Sequence, residues 1–275
     1  NAIEIAKKNK IPFSILRPKD YAEKNNYIKE LISITGSYSP DIILLAGYMR
    51  IIPSELLDEY PLKIINIHPS LLPLFKGKDA IKQAWDAGVK ETGVTVHFVN
   101  DRMDDGLIIL QKKVAVPNSL EELEHEIHVL EHKMYVEAVN LVSDLFIVVS
   151  KCLIGENIRY DGSNKLSKRI YKYVNGYRTE CLLVCSEVLA GLGVPRSKIN
   201  IINTRLISED GVDLTDVMKR TCKDIIEKIP QNKMVLAILK DKSPSCGKTE
   251  PQGLLVSMLR EHLKDRLLLL SETEI

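Results

Sequence analysis

The chain has 275 residues, a formal net charge of +1 and 45% hydrophobic residues, enough for about two ordinary domains. Its balanced charge gives no electrostatic reason to expect nucleic acid or a membrane surface as a partner, and its hydrophobic content excludes a disordered chain. No apolar run reaches the length of a membrane span, and five cysteines suit a reduced, cytoplasmic protein better than a disulfide scaffold.

In chain order, residues 2–9 read as the end of a helix already under way at Asn1, the expectation for a fragment of a longer polypeptide. "PFSIL" (12–16) reads as a strand, and residues 20–36 as a helix stopped by Gly36. "DIILLAGY" (41–48) is a continuous apolar run, the pattern of a parallel strand covered on both faces. A short helix over "PSELLDEY" leads to the strand "IINIH" (64–68). Pro69 keeps His68 extended. Residues two apart on a strand point the same way, so Asn66 and His68 are expected side by side at its end. A helix over 78–88, a strand "GVTVHFVN" (93–100), a polar turn "DRMDDG" and a strand "LIILQKKVAV" follow. A long helix then starts at Ser119, whose spacing to Glu122 is that of a capping box. This alternation predicts an α/β fold, with a mostly parallel sheet and flanking helices over 1–144. A second, smaller α/β domain is expected over 145–275, opening on the buried strand "LFIVVS", and all five cysteines lie in it.

Two motifs in the first half suggest chemistry. Asn66 and His68 present an amide donor and an imidazole to one point, and the turn after the next strand holds Asp101, Asp104 and Asp105. A carboxylate there can orient an imidazole, the arrangement of a base and its orienter. Singly, a histidine at a strand end is more often structural and an Asp-Asp-Gly turn is usually just a turn. His97 reads as either a packed residue or one that supports the site from behind, and Trp85 as core. His125, His128 and His132 recur at helical spacing, but glutamates lie between them and no cysteine is near, so they read as a solvated or substrate-edge face rather than a metal face. In the second half, Cys152, Cys185 and Cys246 each sit beside Gly, Pro or Ser. Three such ligands can hold an iron–sulfur cluster, although buried cysteines often simply pack.

Together, "LAGYMRIIPSELL", "NIHPSLLPLFKGKDAIKQA", "TGVTVHFV" and "DDGLIILQ" resemble the phosphoribosylglycinamide formyltransferases, folate-dependent enzymes of purine synthesis, over about residues 1–142. The resemblance implies 10-formyltetrahydrofolate as co-substrate. It implies that Asn66 donates to the formyl oxygen, that His68 is the cationic acid or proton relay, and that Asp104 fixes His68 and helps take the proton of the attacking amine. Met49, Arg50 and Ile51 would line the pterin pocket, partly by main chain, and Glu131 would contact the glycinamide substrate. The chain departs from that family at Asp105 and Leu107, where a small residue and Pro are usual, and it lacks the family's first strand and Gly-rich phosphate loop.

From about Phe146 to the end, the sequence resembles a family that includes thiouracil desulfurases. That resemblance implies a [4Fe–4S] cluster on Cys152, Cys185 and Cys246, with Glu187 and Ser245 in proton transfer; Arg159, Asp161 and Arg196 match polar family positions. Cys181 and Cys222 read as structural. Ser186 stands where Pro is usual, and "KTEPQGLL" replaces an aromatic stretch after the last cysteine. The expected partners are small molecules, not nucleic acid or membrane. The alternatives are a folate-binding or regulatory remnant attached to a desulfurase acting on thiolated pyrimidines, or two unrelated chains joined end to end.

Overall fold

The structure, a computed structural model, describes residues 2–176 and 181–275. The helical start expected at Asn1 lies outside the described residues. In the first half, helices α1 (Ala2–Lys8) and α2 (Lys24–Ser37) precede strand β1 (Ile43–Leu45), helix α3 (Ser54–Glu59) and strand β2 (Ile64–His68). Helix α4 (Ala80–Asp86), the hairpin of β3 (Glu91–Phe98) and β4 (Ile108–Ala115), and the long helix α5 (Leu120–Ser143) complete it. Ser119 caps α5 by accepting the Glu122 N–H at 3.2 Å. The sheet order is β1-β2-β3-β4. β1 and β2 run parallel, whereas β3 and β4 add antiparallel.

Two expectations fail here for one reason. "PFSIL" is not a strand, and the run from Asp41 shrinks to the three residues of β1. A strand needs a partner edge, and among the described residues β1 has a neighbour on one side only. Ile11, Phe13, Ile15 and Leu44 are accordingly exposed. Nor does Gly36 stop α2. The helix runs through Ser37, and the left-handed residue is Ser39, with φ 47°, whose N–H bonds the Gly36 carbonyl at 3.0 Å.

The second half contains β5 (Phe146–Ser150), α6 (Lys168–Gly176), β6 (Cys181–Val184), α7 (Ser186–Leu189), the hairpin β7 (Ile199–Ile202) and β8 (Arg205–Ser208), and α8 (Thr215–Glu227). Strand β9 (Val235–Leu239), helix α9 (Leu254–Leu263) and strand β10 (Leu267–Ser271) follow. The order β10-β9-β5-β6 is parallel throughout. Every residue of β5 and β9 is buried, which explains their unbroken apolar sequences. Of the six pairings in the two four-stranded sheets, four are parallel, so parallel pairing dominates the α/β fold.

The two sheets are not insulated from each other. One apolar cluster runs from Ile65, Val96, Phe98 and the inner face of α5 to Leu145, Ile147, Leu236 and Leu268. Two ion pairs reinforce it, Arg169 Nε to Asp58 at 2.5 Å and Lys172 Nζ to Glu59 at 2.7 Å, tying α6 to α3. No helix among the described residues is long and apolar enough to cross a membrane.

Candidate active sites

β2 ends in His68, and the β3–β4 hairpin brings its connecting turn back towards that end. Asn66 pairs in register with His97, and His68 with Thr95. Side chains opposite each other in an antiparallel pair share a face, so the hairpin delivers His97 to the face that already carries Asn66 and His68. Asp104 closes the group. Its Oδ2 lies 3.5 Å from His68 Nδ1, and its Oδ1 lies 3.8 Å from His97 Nε2. Both histidines are buried.

The hydrogen bonds settle the protons. His97 Nδ1 is 2.8 Å from the Phe98 carbonyl, which can only accept, so Nδ1 carries the hydrogen. The bare Nε2 then accepts from Asn66 Nδ2 at 3.3 Å. That bond uses one amide hydrogen of Asn66 and leaves the other for a ligand. Burial lowers the His97 pKa, opposed by its bond to Phe98 and by the Asp104 charge, and so favours the neutral ring. His68 Nε2 is 2.8 Å from the Phe75 carbonyl and must donate to it. Its Nδ1 is therefore the nitrogen that faces Asp104.

The loop after His68 is fastened by residues that the sequence did not single out. Thr95 Oγ1 donates to the Ser70 carbonyl at 2.7 Å and accepts the Leu72 N–H at 3.1 Å. Gln111 Nε2 donates both to Thr95 Oγ1 and to the Leu72 carbonyl. Their signal was positional: once β3 and β4 are paired antiparallel, Thr95 faces His68 and Gln111 faces Thr95.

Met49, Arg50 and Ile51 lie exposed on the loop after β1, and their side chains take no part in the hydrogen bonds around His68. Glu131 sits on α5 and accepts from His128 Nδ1 at 2.8 Å. One turn later Tyr135 donates to the Leu45 carbonyl, and Leu45 is the register partner of Asn66. Residues four apart share a helix face, so Glu131 is on the side of α5 that reaches this end of the sheet.

The second site lies beyond the carboxyl ends of the parallel strands, where open α/β sheets bind ligands. Cys152 follows β5, Cys185 follows β6, and Cys246 lies on the loop after β9. All three line one cavity of about 360 Å³. Burial raises each thiol pKa: Cys152 to about 11, Cys185 upwards, and Cys246 well above the usual value. The neighbouring cysteines add to the effect at Cys152 and Cys246. Gly253 backs the last loop, where a Cβ would lie 2.7 Å from the Cys246 nitrogen, so no side chain fits. Among the described residues no group of three or more His, Cys, Asp or Glu side chains is placed to hold a metal ion.

Glu187 and Ser245, singled out separately in the sequence, are bonded to each other. Ser245 Oγ donates to Glu187 Oε1 at 2.6 Å. Arg196 takes the other oxygen with Nε at 2.8 Å and Nη2 at 2.5 Å, and spends Nη1 on the Ile158 and Gly193 carbonyls. Arg159 lines the cavity, whereas Asp161 turns to Ser163. Cys181 starts β6 and Cys222 is buried in α8, with pKa values pushed up by burial to about 11 and about 12.

An amide, an imidazole and a carboxylate gathered at a strand end are groups that enzymes use for acid–base work on polar substrates. Comparison with known proteins gives the family. Residues 1–139 match the model described as formyl transferase, and residues 147–263 match that described as 2-thiouracil desulfurase. The phosphoribosylglycinamide formyltransferase of Bacillus subtilis is 47% identical over 135 residues, covering 48% of this chain and 69% of that protein. The chloroplastic enzyme of the same name from Arabidopsis thaliana is 38% identical over 150 residues, 51% of each. The crystal structure of phosphoribosylglycinamide formyltransferase from Streptococcus pneumoniae superposes with a TM-score of 0.50 at 34% identity, over 51% of this chain and 79% of that one. The chain belongs to the formyl transferase family.

Proposed function

We propose that residues 1–144 transfer the formyl group of 10-formyltetrahydrofolate to the amine of phosphoribosylglycinamide, and that residues 145–275 form a desulfurase-like unit. The observation that carries the first reading is the convergence of His68 and His97 on Asp104, with Asn66 bonded to His97. The amine nitrogen attacks the formyl carbon, forming a C–N bond, and the carbonyl electrons move to oxygen. The free Asn66 hydrogen stabilises that oxyanion as it develops, which is where a preorganised donor is most effective. The amine proton passes to Asp104. Collapse of the tetrahedral intermediate breaks the bond to the folate nitrogen, which receives a proton from the His68–Asp104 couple. The matched relatives that carry the name phosphoribosylglycinamide formyltransferase support this choice of substrates.

His68→Ala and Asp104→Ala should each lower formyl transfer by on the order of a hundredfold or more, with an unchanged circular dichroism spectrum. Full activity in both variants would remove the site assignment.

For the second unit, the observation is three thiols around one cavity with a Glu187–Ser245 couple on its wall. The donor set fits a [4Fe–4S] cluster, because three thiolates on one cluster bind three different irons and need not converge as ligands of a single ion do. Cys152, Cys185 and Cys246 would hold the cluster. When bound, it supplies an open iron for the sulfur of a thiolated pyrimidine. Ser245 and Glu187 move a proton at the Ser245 oxygen, and Arg196 holds the carboxylate in place. Anaerobic purification with iron and sulfide analysis tests this. A broad sulfur-to-iron absorption band, lost in Cys246→Ala, is expected. A protein still colourless after reconstitution would leave the cysteines as packing residues.

A further inference from the structure

Residues 75–77 form a bracket over the formyl-transfer site. Each of the three makes one polar contact with it: the Phe75 carbonyl with His68 Nε2 at 2.8 Å, Lys76 Nζ with Asp105 Oδ1 at 2.5 Å, and the Gly77 N–H with Asp104 Oδ2 at 2.8 Å. The bracket is conformationally costly. Phe75, Gly77 and Asp79 all have positive φ, and so does Asp104 on the facing turn, at 52°, 83°, 56° and 47°. Non-glycine residues hold such angles only where their surroundings over-determine them. Two of the three contacts are made by backbone atoms and are blind to side-chain identity. Lys76 with Asp105 is the contact that the sequence itself encodes.

We propose that Lys76 and Asp105 are positioning residues for formyl transfer: their ion pair clamps the two strained turns together and so holds His68 against the Phe75 carbonyl and Asp104 in register with His68. The pair touches no reacting atom. It is partly exposed, with side-chain accessibilities of 35% and 37%, so its effect on global stability is small. Its effect on the site is larger, because the geometry of an acid–base group tolerates little displacement. This inference rests on the proposed formyl transfer for its kinetic readout and not for its spectroscopic one.

The test uses the full chain with Lys76→Ala, Asp105→Ala, the double variant, and the exchanged pair Lys76→Asp with Asp105→Lys. Nitrogen-15 histidine NMR, with His68 assigned through His68→Gln, reads the His68 Nε2 hydrogen bond. The single variants should move the Nε2 signal towards that of a free imidazole and lower kcat roughly tenfold, with KM little changed. The double variant should be no worse than either single one, and the exchanged pair should recover part of the loss. An unmoved His68 signal in both single variants, or losses that add in the double variant, would overturn the proposal. A parent chain inactive in formyl transfer would count against the function proposed above, and the His68 signal alone would then decide the clamp.

Discussion

His97 shows how one buried ring can orient its neighbours. Its proton sits on Nδ1 for the Phe98 carbonyl, and its bare Nε2 orients the amide of Asn66. Protonation would place a second hydrogen on Nε2, remove that acceptor and charge a buried ring; Asp104 favours the charge, whereas His68 and Lys76 oppose it. The folded-state pKa is lowered from the usual 6.5, so the unfolded chain binds the proton more readily than the folded one. Stability at this residue is therefore complete above the unfolded value and is lost as pH falls below it towards the folded one. The slope from one such group is at most about 1.4 kcal/mol per pH unit. His97→Gln should flatten the fall in melting temperature between neutral and mildly acid pH, measured by thermal denaturation in matched buffers. Parallel curves for parent and variant would show that the ring titrates alike in both states.

The β3–β4 hairpin is the element that assembles the first site, and its return depends on Gly106. A Cβ there would lie 1.7 Å from the Phe98 carbonyl oxygen, while Phe98 N–H bonds the Leu107 carbonyl at 2.9 Å across the same turn. The clash is with backbone, which cannot swing aside. Gly106→Ala should cost on the order of 3 kcal/mol, read as a lower denaturation midpoint; a midpoint equal to the parent's would mean that the turn relaxes freely. The hairpin also marks the limit of what the sequence made legible. Alternation within a strand placed Asn66 and His68 together, because that geometry is local. The turn after β3 offered Asp101, Asp104 and Asp105 because turn chemistry is local as well, and only the family resemblance chose Asp104 among them. His97, Thr95 and Gln111 act through cross-strand register, a property of two segments that neither spells out alone. "PFSIL" misled for the converse reason: its residues have strand character, but strand formation depends on an edge to pair with. In the second half the apolar runs of β5 and β9 were unambiguous, and the cysteine loops were found from their flanks. The link between Glu187 and Ser245, 58 residues apart, became visible only in the folded chain.

At the scale of the molecule, the two halves match different families but share packing. Val142 at the end of α5 and Leu145 before β5 are both buried, and only Ser143 and Asp144 between them are exposed, so the halves are joined by two surface residues anchored in the core on either side rather than by a linker. The cluster that covers β3 and α5 continues onto β5, β9 and β10, and α6 is salt-bridged to α3. A protease offered this protein would find only two exposed residues, Ser143 and Asp144, at the family boundary. The buried residues on either side of Ser143 and Asp144 would have to come loose before the chain could be cut there, and trimming either half would strip apolar cover from the other. What looks in the sequence like two modules in tandem is, mechanically, a joint that has been glued.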